Sequence, residues 1–379
     1  MKKELQLESI KKWLPALRKT SEVTQSNHPI IISGPCSAET ESQTITTCKQ
    51  LAATGKVHAL RAGIWKPRTR PGQFEGVGDI GLEWMVNARK ETGLPITTEV
   101  ATAAHVEASL KAGVDILWIG ARTTVNPFSV QEIADSLKGV DIPVMVKNPV
   151  NPDLELWIGA VERLSKAGIT KMAAIHRGFS SFEKGPFRNA PMWELAIDLK
   201  TRIPELDIIC DPSHITGARD LISFVSQKAL DLDMVGLMIE SHITPDAAWS
   251  DAKQQVTPTA LSKILDALIV RTASSDSKSF KDTLVALREQ IDQLDDDIMH
   301  KLSARMKISE KIGQYKKENG VTILQVNRWE EIINTRVAMG LAMGISEDFS
   351  KEFLKLVHQE SIQIQTNVMN DALDKHANV

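Results

Sequence analysis

The sequence predicts an α/β chain: a (β/α)8 barrel followed by a small all-α domain of three helices. Three observations carry this expectation. Between residues 29 and about 242, short apolar runs rich in β-branched residues alternate with longer helix-like patterns. Eight such runs fall within roughly 250 residues, the number and spacing of a closed eight-stranded barrel. Beyond residue 280 the strand pattern stops, and apolar residues step by three and four instead.

The candidate strands are, in order, "PIIISGPCS", "VHALRAG", "LPITTEV", "DILWIG", "PVMVKNP", "KMAAIHRG", "DIICDPSH" and "MVGLMIESH". Near-continuous apolar strands between helices imply a parallel sheet covered by helices. An open doubly wound sheet is the competing architecture, but no G-x-G-x-x-G follows the first strand. The expected divisions are 1–271 for the barrel with a short N-terminal helix, 272–279 for a polar linker, and 280–379 for the helical domain. In that domain Leu284, Leu287, Ile291, Leu294 and Ile298 define a long amphipathic helix to about residue 317, ended by Asn319 and Gly320. Second and third helices are expected over about 326–342 and 347–370. Such a unit buries little surface alone, so pairing with a copy of itself or with the barrel is expected.

Composition narrows the function classes. Lys plus Arg is 45, Asp plus Glu is 48, and the formal net charge is -3. That near balance argues against a general nucleic-acid binder and confines any anion site to a local cluster of cations. No apolar run approaches membrane-spanning length, and the N-terminus "MKKELQLESIKKWLPAL" lacks a cleavable apolar core. The three cysteines, Cys36, Cys48 and Cys210, fit free thiols in a reducing, cytoplasmic setting. Cys48 and Cys210 read as buried packing residues.

Barrel active sites lie at the C-terminal strand ends. Those ends carry Cys36, Arg61, Glu99, Arg122, Lys147, His176 with Arg177, His214, and Glu240. A thiol, an imidazole and two carboxylates, from Cys36, His214, Glu240 and Asp251, make a mixed metal-ligand set able to take Mn, Co, Fe, Zn or a similar divalent ion. Each one alone reads more readily as a packing residue than as a ligand. Arg61, Lys66, Arg68, Arg122, Lys147 and Arg177 would repel one another in one mouth unless anions fill it, which points to one or two dianionic ligands. The competing reading is outward ion pairing with Glu75, Glu99 or Asp79, and it is preferred for Arg70. Among several guanidiniums, Lys66 is expected to have a lowered pKa and to serve in proton transfer.

The ordered set "GPCS", "RAGIWKPRT", "IGAR", "VKNP", "HRG", "DPSH" and "IESH", with "SDAKQ" after it, resembles the 3-deoxy-D-arabino-heptulosonate 7-phosphate synthases of the shorter bacterial type over about residues 29–270. The resemblance implies a metal-dependent condensation of phosphoenolpyruvate with erythrose 4-phosphate at the entry to the shikimate pathway. It implies that Cys36, His214, Glu240 and Asp251 hold the metal. Arg61, Lys66, Arg122, Lys147 and Arg177 would hold phosphoenolpyruvate, with Lys66, Cys36 and His214 serving the chemistry. Arg68 and Thr69 would hold the erythrose phosphate. An acceptor change to a longer sugar phosphate, as in octulosonate synthases, is the alternative, against which "KPRT" stands.

In the helical domain Arg288, Arg305 and Lys316 lie on or beside the apolar stripe of the long helix. Leu354, Val357, Ser361, Ile364 and Val368 form the stripe of the third, with Gln365 beside Ser361. Polar groups on core faces need partners. Pairing with Glu331 or Glu360 would supply them, as would an anion held between helices. "LREQIDQLDDDIMHKLSARMKISEKIGQYK" and "ESIQIQ" are similar to the all-helical chorismate mutases across about residues 280–370. That resemblance implies a homodimer with shared active sites that rearranges chorismate to prephenate. Arg288 (from the partner chain), Arg305, Lys316, Arg328, Ser361 and Gln365 would bind substrate, with Lys316 and Gln365 stabilising the breaking ether oxygen. Gln325 and Trp329 stand where Asp and Glu can occur, which predicts weakened contacts to the substrate hydroxyl. The expectation is a bifunctional enzyme with feedback inhibition by prephenate or chorismate. The alternative is a helical domain that binds such a metabolite without catalysis.

Overall fold

In this computed structural model, residues 5–17, 28–66, 72–182, 185–272 and 274–370 are described. The chain divides into two compact units, Met1–Ala273 and Ser274–Val379.

The first unit is a closed barrel of eight parallel strands in sequence order: β1 Ile30–Gly34, β2 Ala59–Arg61, β3 Ile96–Val100, β4 Ile116–Ile119, β5 Val144–Lys147, β6 Met172–His176, β7 Asp207–Cys210 and β8 Gly236–Glu240. Ile32 pairs with Ala59 on β2 and with Met238 on β8, closing the ring. All eight expected strands form. Nearly every strand residue is buried because one face meets the barrel interior and the other meets helices.

Strand parity therefore decides what each side chain can do. Ile30, Ile32, Ala59, Ile116, Trp118, Met145, Ala173, Ile175, Ile209 and Met238 fill the interior. Their neighbours Ile31, Leu60, Leu117, Val144, Val146, Ala174, Ile208, Cys210 and Leu237 pack outward against the helices. The interior is stoppered at the N-terminal strand ends by the helix Ile10–Ala16, whose Ile10, Trp13 and Leu14 join the same cluster. Asp207 at the foot of β7 anchors this helix. Its Oδ2 accepts from Ser9 Oγ at 2.6 Å and from Ile10 N at 3.0 Å.

The second unit holds three helices: Lys278–Glu318, Val326–Ala342 and Glu347–Asn370. The long and third helices pack along the expected stripe, burying Val357, Ser361 and Gln365. Gly313 allows the close approach, since a Cβ there would sit 3.1 Å from Gln365 Cα. The first half of the long helix leaves Val285, Leu287, Ile291, Leu294 and Ile298 about half exposed. No helix among the described residues is long and apolar enough to cross a membrane.

Candidate active site

Inward parity brings Arg61, Glu99, Trp118, Lys147 and Glu240 to the C-terminal mouth. Trp118 is their floor. The Arg61 guanidinium lies 4.9 Å and Lys147 Nζ 5.8 Å from its ring centroid, a cation–π arrangement that holds two like charges in a desolvated space. Trp118 Nε1 donates to Glu99 Oε2 at 2.9 Å. Gly120 makes room for that carboxylate, because a Cβ there would fall 2.1 Å from Glu99 Oε1.

Arg61 is 1 % exposed. One of its nitrogens meets Glu240 Oε1 at 3.2 Å and the Cys36 carbonyl at 3.3 Å. Its Nε and Nη1 are buried with no hydrogen-bond partner among the described residues. Buried unpaired guanidinium donors are costly, and an anionic ligand resolves them. Lys147 Nζ pairs with Asp211 Oδ2 at 2.8 Å. Arg177 is anchored by the backbone: its N donates to Asn148 Oδ1 at 2.7 Å. Burial first, with Arg188 and Arg122 adding repulsion, lowers the Arg177 guanidinium to about 10. Arg122 itself is exposed in the short helix Ala121–Thr124 that follows β4.

Beside these cations, ligand atoms of Cys36, Glu240 and Asp251 all lie within 4.8 Å of one another. His214 Nε2 approaches Glu240 Oε1 at 3.7 Å, and His214 Nδ1 lies 2.8 Å from Asp211 Oδ2. A carboxylate behind an imidazole fixes the ring and leaves its far nitrogen free for a metal. Burial lowers the His214 pKa and favours the neutral ligating form. Glu240 Oε1 is buried and accepts no hydrogen bond among the described residues. Cys36, Glu240 and Asp251 therefore make a donor set that fits a divalent ion of borderline softness, and His214, the fourth expected ligand, stands beside that cluster and not within it. Asp251 takes a left-handed backbone with φ 48°, an unfavourable conformation for a residue bearing a Cβ, kept where surrounding bonds over-determine it.

The rim departs from the sequence expectations in two places, and a third expectation falls outside the described residues. His176, placed at the mouth by its strand end, has outward parity. It packs against Trp193, Phe179 and Trp157 with ring centroids 5.1, 5.9 and 6.3 Å away, so Arg177 alone serves the rim from β6. Lys66, expected to have a lowered pKa, has a raised one. Burial pulls it down, but Cys36 and Glu240 outweigh both burial and Arg61. Arg68 and Thr69, with Arg70, lie outside the described residues. Cys48 and Cys210 are buried, as expected.

Sequence reasoning missed the groups that hold the rim together. Cys36 N donates to Gln255 Oε1 at 2.9 Å, and Gln254 Nε2 donates to Glu240 Oε2 at 2.7 Å. Glu39 accepts from Trp249 N at 2.7 Å and so pins the loop bearing Asp251. Arg188 pairs with Asp251 Oδ1 at 2.7 Å. Asp211 stands inside the quoted "DPSH", three residues before His214, and that spacing was the available signal.

In the helical unit Arg305 Nη1 donates to Ser361 Oγ and, at 3.4 Å, to the Val357 carbonyl. Gln365 Oε1 is buried without a partner among the described residues. Lys316 Nζ donates to the Ile323 carbonyl. Arg328 instead pairs with Glu331 at 2.6 Å on the surface, and Arg288 is exposed. Trp329 stacks on His358 with ring centroids 4.1 Å apart. The structure thus joins Arg305, Ser361 and Gln365 within one chain, and leaves Arg288 and Arg328 facing outward.

A closed eight-stranded barrel with this rim defines a class: (β/α)8 enzymes whose mouth combines a thiol–carboxylate cluster able to hold a metal with buried cations. Residues 16–275 match the family model for the DAHP synthetase I family, and the chain belongs to that family. Residues 287–366 match the chorismate mutase type II model. The chain is 33 % identical over 226 residues to the phospho-2-dehydro-3-deoxyheptonate aldolase of Thermotoga maritima, covering 60 % of this chain and 64 % of that protein. It is 26 % identical over 265 residues to the 2-dehydro-3-deoxyphosphooctonate aldolase of Polaromonas naphthalenivorans, covering 63 % of this chain and 88 % of that one. A crystal structure of the Thermotoga maritima DAHP synthase superposes with a TM-score of 0.57 at 29 % identity, covering 64 % of this chain and 68 % of that chain.

Proposed function

We propose that the barrel condenses phosphoenolpyruvate with erythrose 4-phosphate to 3-deoxy-D-arabino-heptulosonate 7-phosphate, and that the helical unit rearranges chorismate to prephenate. The observation that carries the first reading is the buried Arg61 with unpaired donors beside the Cys36–Glu240–Asp251 cluster. Cys36, His214, Glu240 and Asp251 would hold a divalent ion, which would supply Lewis acidity to the condensation. C3 of the enol attacks the aldehyde carbon, positive charge builds at C2, and water adds there. The phosphohemiketal then loses phosphate. Arg61, Lys66, Arg122, Lys147 and Arg177 hold the anionic acid against its own repulsion. Lys66, charged beside Cys36, donates a proton to the oxygen that was the aldehyde's. Arg68 and Thr69 are proposed for the acceptor phosphate. Assaying an acceptor panel tests this: erythrose 4-phosphate should be used and arabinose 5-phosphate should not. The opposite preference would place the chain with the octulosonate enzymes.

For the helical unit, Arg305 with Ser361 offers a carboxylate site, while Lys316 and Gln365 stabilise charge on the breaking ether oxygen. Arg328 and a partner chain's Arg288 complete the proposed set. The exposed stripe Val285, Leu287, Ile291, Leu294 and Ile298 supports a homodimer through this unit. Prephenate bound there is proposed to inhibit the condensation. Adding prephenate to the full chain should lower the condensation rate, and no change would remove that proposal. A helical unit that binds prephenate but forms none would leave it a binding module alone.

A further inference from the structure

Residues Arg188 and Asn189, on the loop after β6, reach several sides of the rim. Arg188 Nη1 donates to Asp251 Oδ1 at 2.7 Å and to Gln254 Oε1 at 2.8 Å. Gln254 passes that contact on to Glu240 Oε2 at 2.7 Å. Asn189 Nδ2 donates to the His214 carbonyl at 2.6 Å, and its Oδ1 accepts from Arg177 Nη1 at 2.8 Å. Two adjacent residues thus touch Asp251 and His214 directly, Glu240 through one amide, and Arg177 on the anion side.

The backbone fixes this pair. Arg188 N donates to the Thr216 carbonyl at 3.2 Å and Asn189 N to the Ile215 carbonyl at 3.1 Å. Ala190 and Phe179 exchange two backbone bonds of 2.8 Å. Gly217 admits the Arg188 stem, since a Cβ there would fall 2.6 Å from Arg188 Cβ. The loop is therefore stitched to the turn carrying His214, and the strained backbone of Asp251 faces a fixed cation.

We propose that Arg188 and Asn189 are positioning residues that couple the metal-ligand cluster to the anion site, so that a divalent cation and a phosphorylated carboxylate bind cooperatively. The inference rests on the functional reading above. An ion that orders Asp251 and His214 also orders, through Asn189, the Arg177 guanidinium before the anion arrives. That removes part of the ordering cost of the second binding event. The effect is reciprocal by linkage.

The test uses the full chain, Mn2+ and phosphoenolpyruvate in titration calorimetry, each titrated with and without the other. Wild-type protein should show each ligand tightening the other by at least about fivefold. Arg188→Met should weaken Mn2+ about tenfold in the absence of phosphoenolpyruvate and bring the mutual tightening close to one. Asn189→Asp keeps an acceptor for Arg177 and loses the donor to His214. It should bind phosphoenolpyruvate alone about as wild type does, yet lose the coupling. Arg188→Lys and Asn189→Asp carry the test if Arg188→Met does not fold. Coupling unchanged in these variants, or absent from wild type, would overturn the inference. Condensation by wild-type protein, assayed separately, judges the functional reading itself.

Discussion

Lys66 Nζ lies 2.9 Å from Cys36 Sγ and donates to it. Burial, then Glu240, pushes that thiol up to about 12, against Lys66 and Arg61. The same contact keeps the ammonium charged. Lys66 is therefore set as an acid and a donor, and a free amine serving as base would need surroundings of the opposite sign. Lys66→Met should lower condensation turnover at least about a hundredfold while metal content stays at the wild-type level. Elemental analysis beside the rate assay reads both quantities. Near-normal turnover would remove Lys66 from the chemistry.

Chelation should divide the two reactions. The thiol–carboxylate cluster belongs to the barrel, and Arg305, Ser361 and Gln365 include no metal-type set. Excess chelator should stop the condensation and spare prephenate formation in the same sample. Re-adding Mn, Co, Fe or Zn singly, and ranking the recovered rates, identifies the preferred ion. Condensation that survives exhaustive chelation would contradict the assignment of Cys36, His214, Glu240 and Asp251.

Arg305→Ala should lower prephenate formation about a hundredfold or more, the usual effect of removing one preorganised donor. Condensation without added prephenate should be unaffected. Ser361 Oγ also donates to the Val357 carbonyl at 2.7 Å, so the helix pair should keep its thermal transition. A variant with full mutase activity would return Arg305 to a packing role.

His176 gives the barrel an acid sensitivity. Burial, aided by Arg177, lowers its pKa to about 3, against an ordinary value of roughly 6.5. Between those values the unfolded chain binds a proton that the folded chain does not, so stability rises with pH. This contribution is complete above about pH 6.5 and is lost as pH falls toward 3, at up to about 1.4 kcal/mol per pH unit. Denaturation of His176→Phe and wild type between pH 4 and 7 should show a shallower slope for the variant. Equal slopes would refute the assignment.

Asp207→Ala should loosen the helix Ile10–Ala16, leaving Ser9 Oγ and Ile10 N without their acceptor. The expected cost is about 1–3 kcal/mol, read from urea denaturation of the barrel. Condensation in folded protein should persist, since Asp207 stands at the foot of β7 and the rim at its head.

The architecture was legible because burial on both strand faces writes itself as apolar runs, and because three- and four-residue steps mark the long helix from Leu284 onward. Strand-end position singled out Cys36, Arg61, Arg122, Lys147, Arg177, His214 and Glu240, while Lys66 and Asp251 were read from the loops that follow β2 and β8. Position alone does not give direction: His176 and Arg177 are adjacent, and parity sends one to the helices and the other to the mouth. The charge state of Lys66 was misread because its partner is the thiol of Cys36, thirty residues away in sequence, while the guanidiniums are the visible neighbours. Arg188 and Asn189 escaped notice because a loop without periodicity carries no sign of what it will touch.

The stopper formed by Ile10, Trp13 and Leu14 closes the foot of the barrel among the described residues and leaves the rim open as a doorway. Under the proposed condensation, phosphate and the new sugar acid would depart across the same rim that admits the reactants.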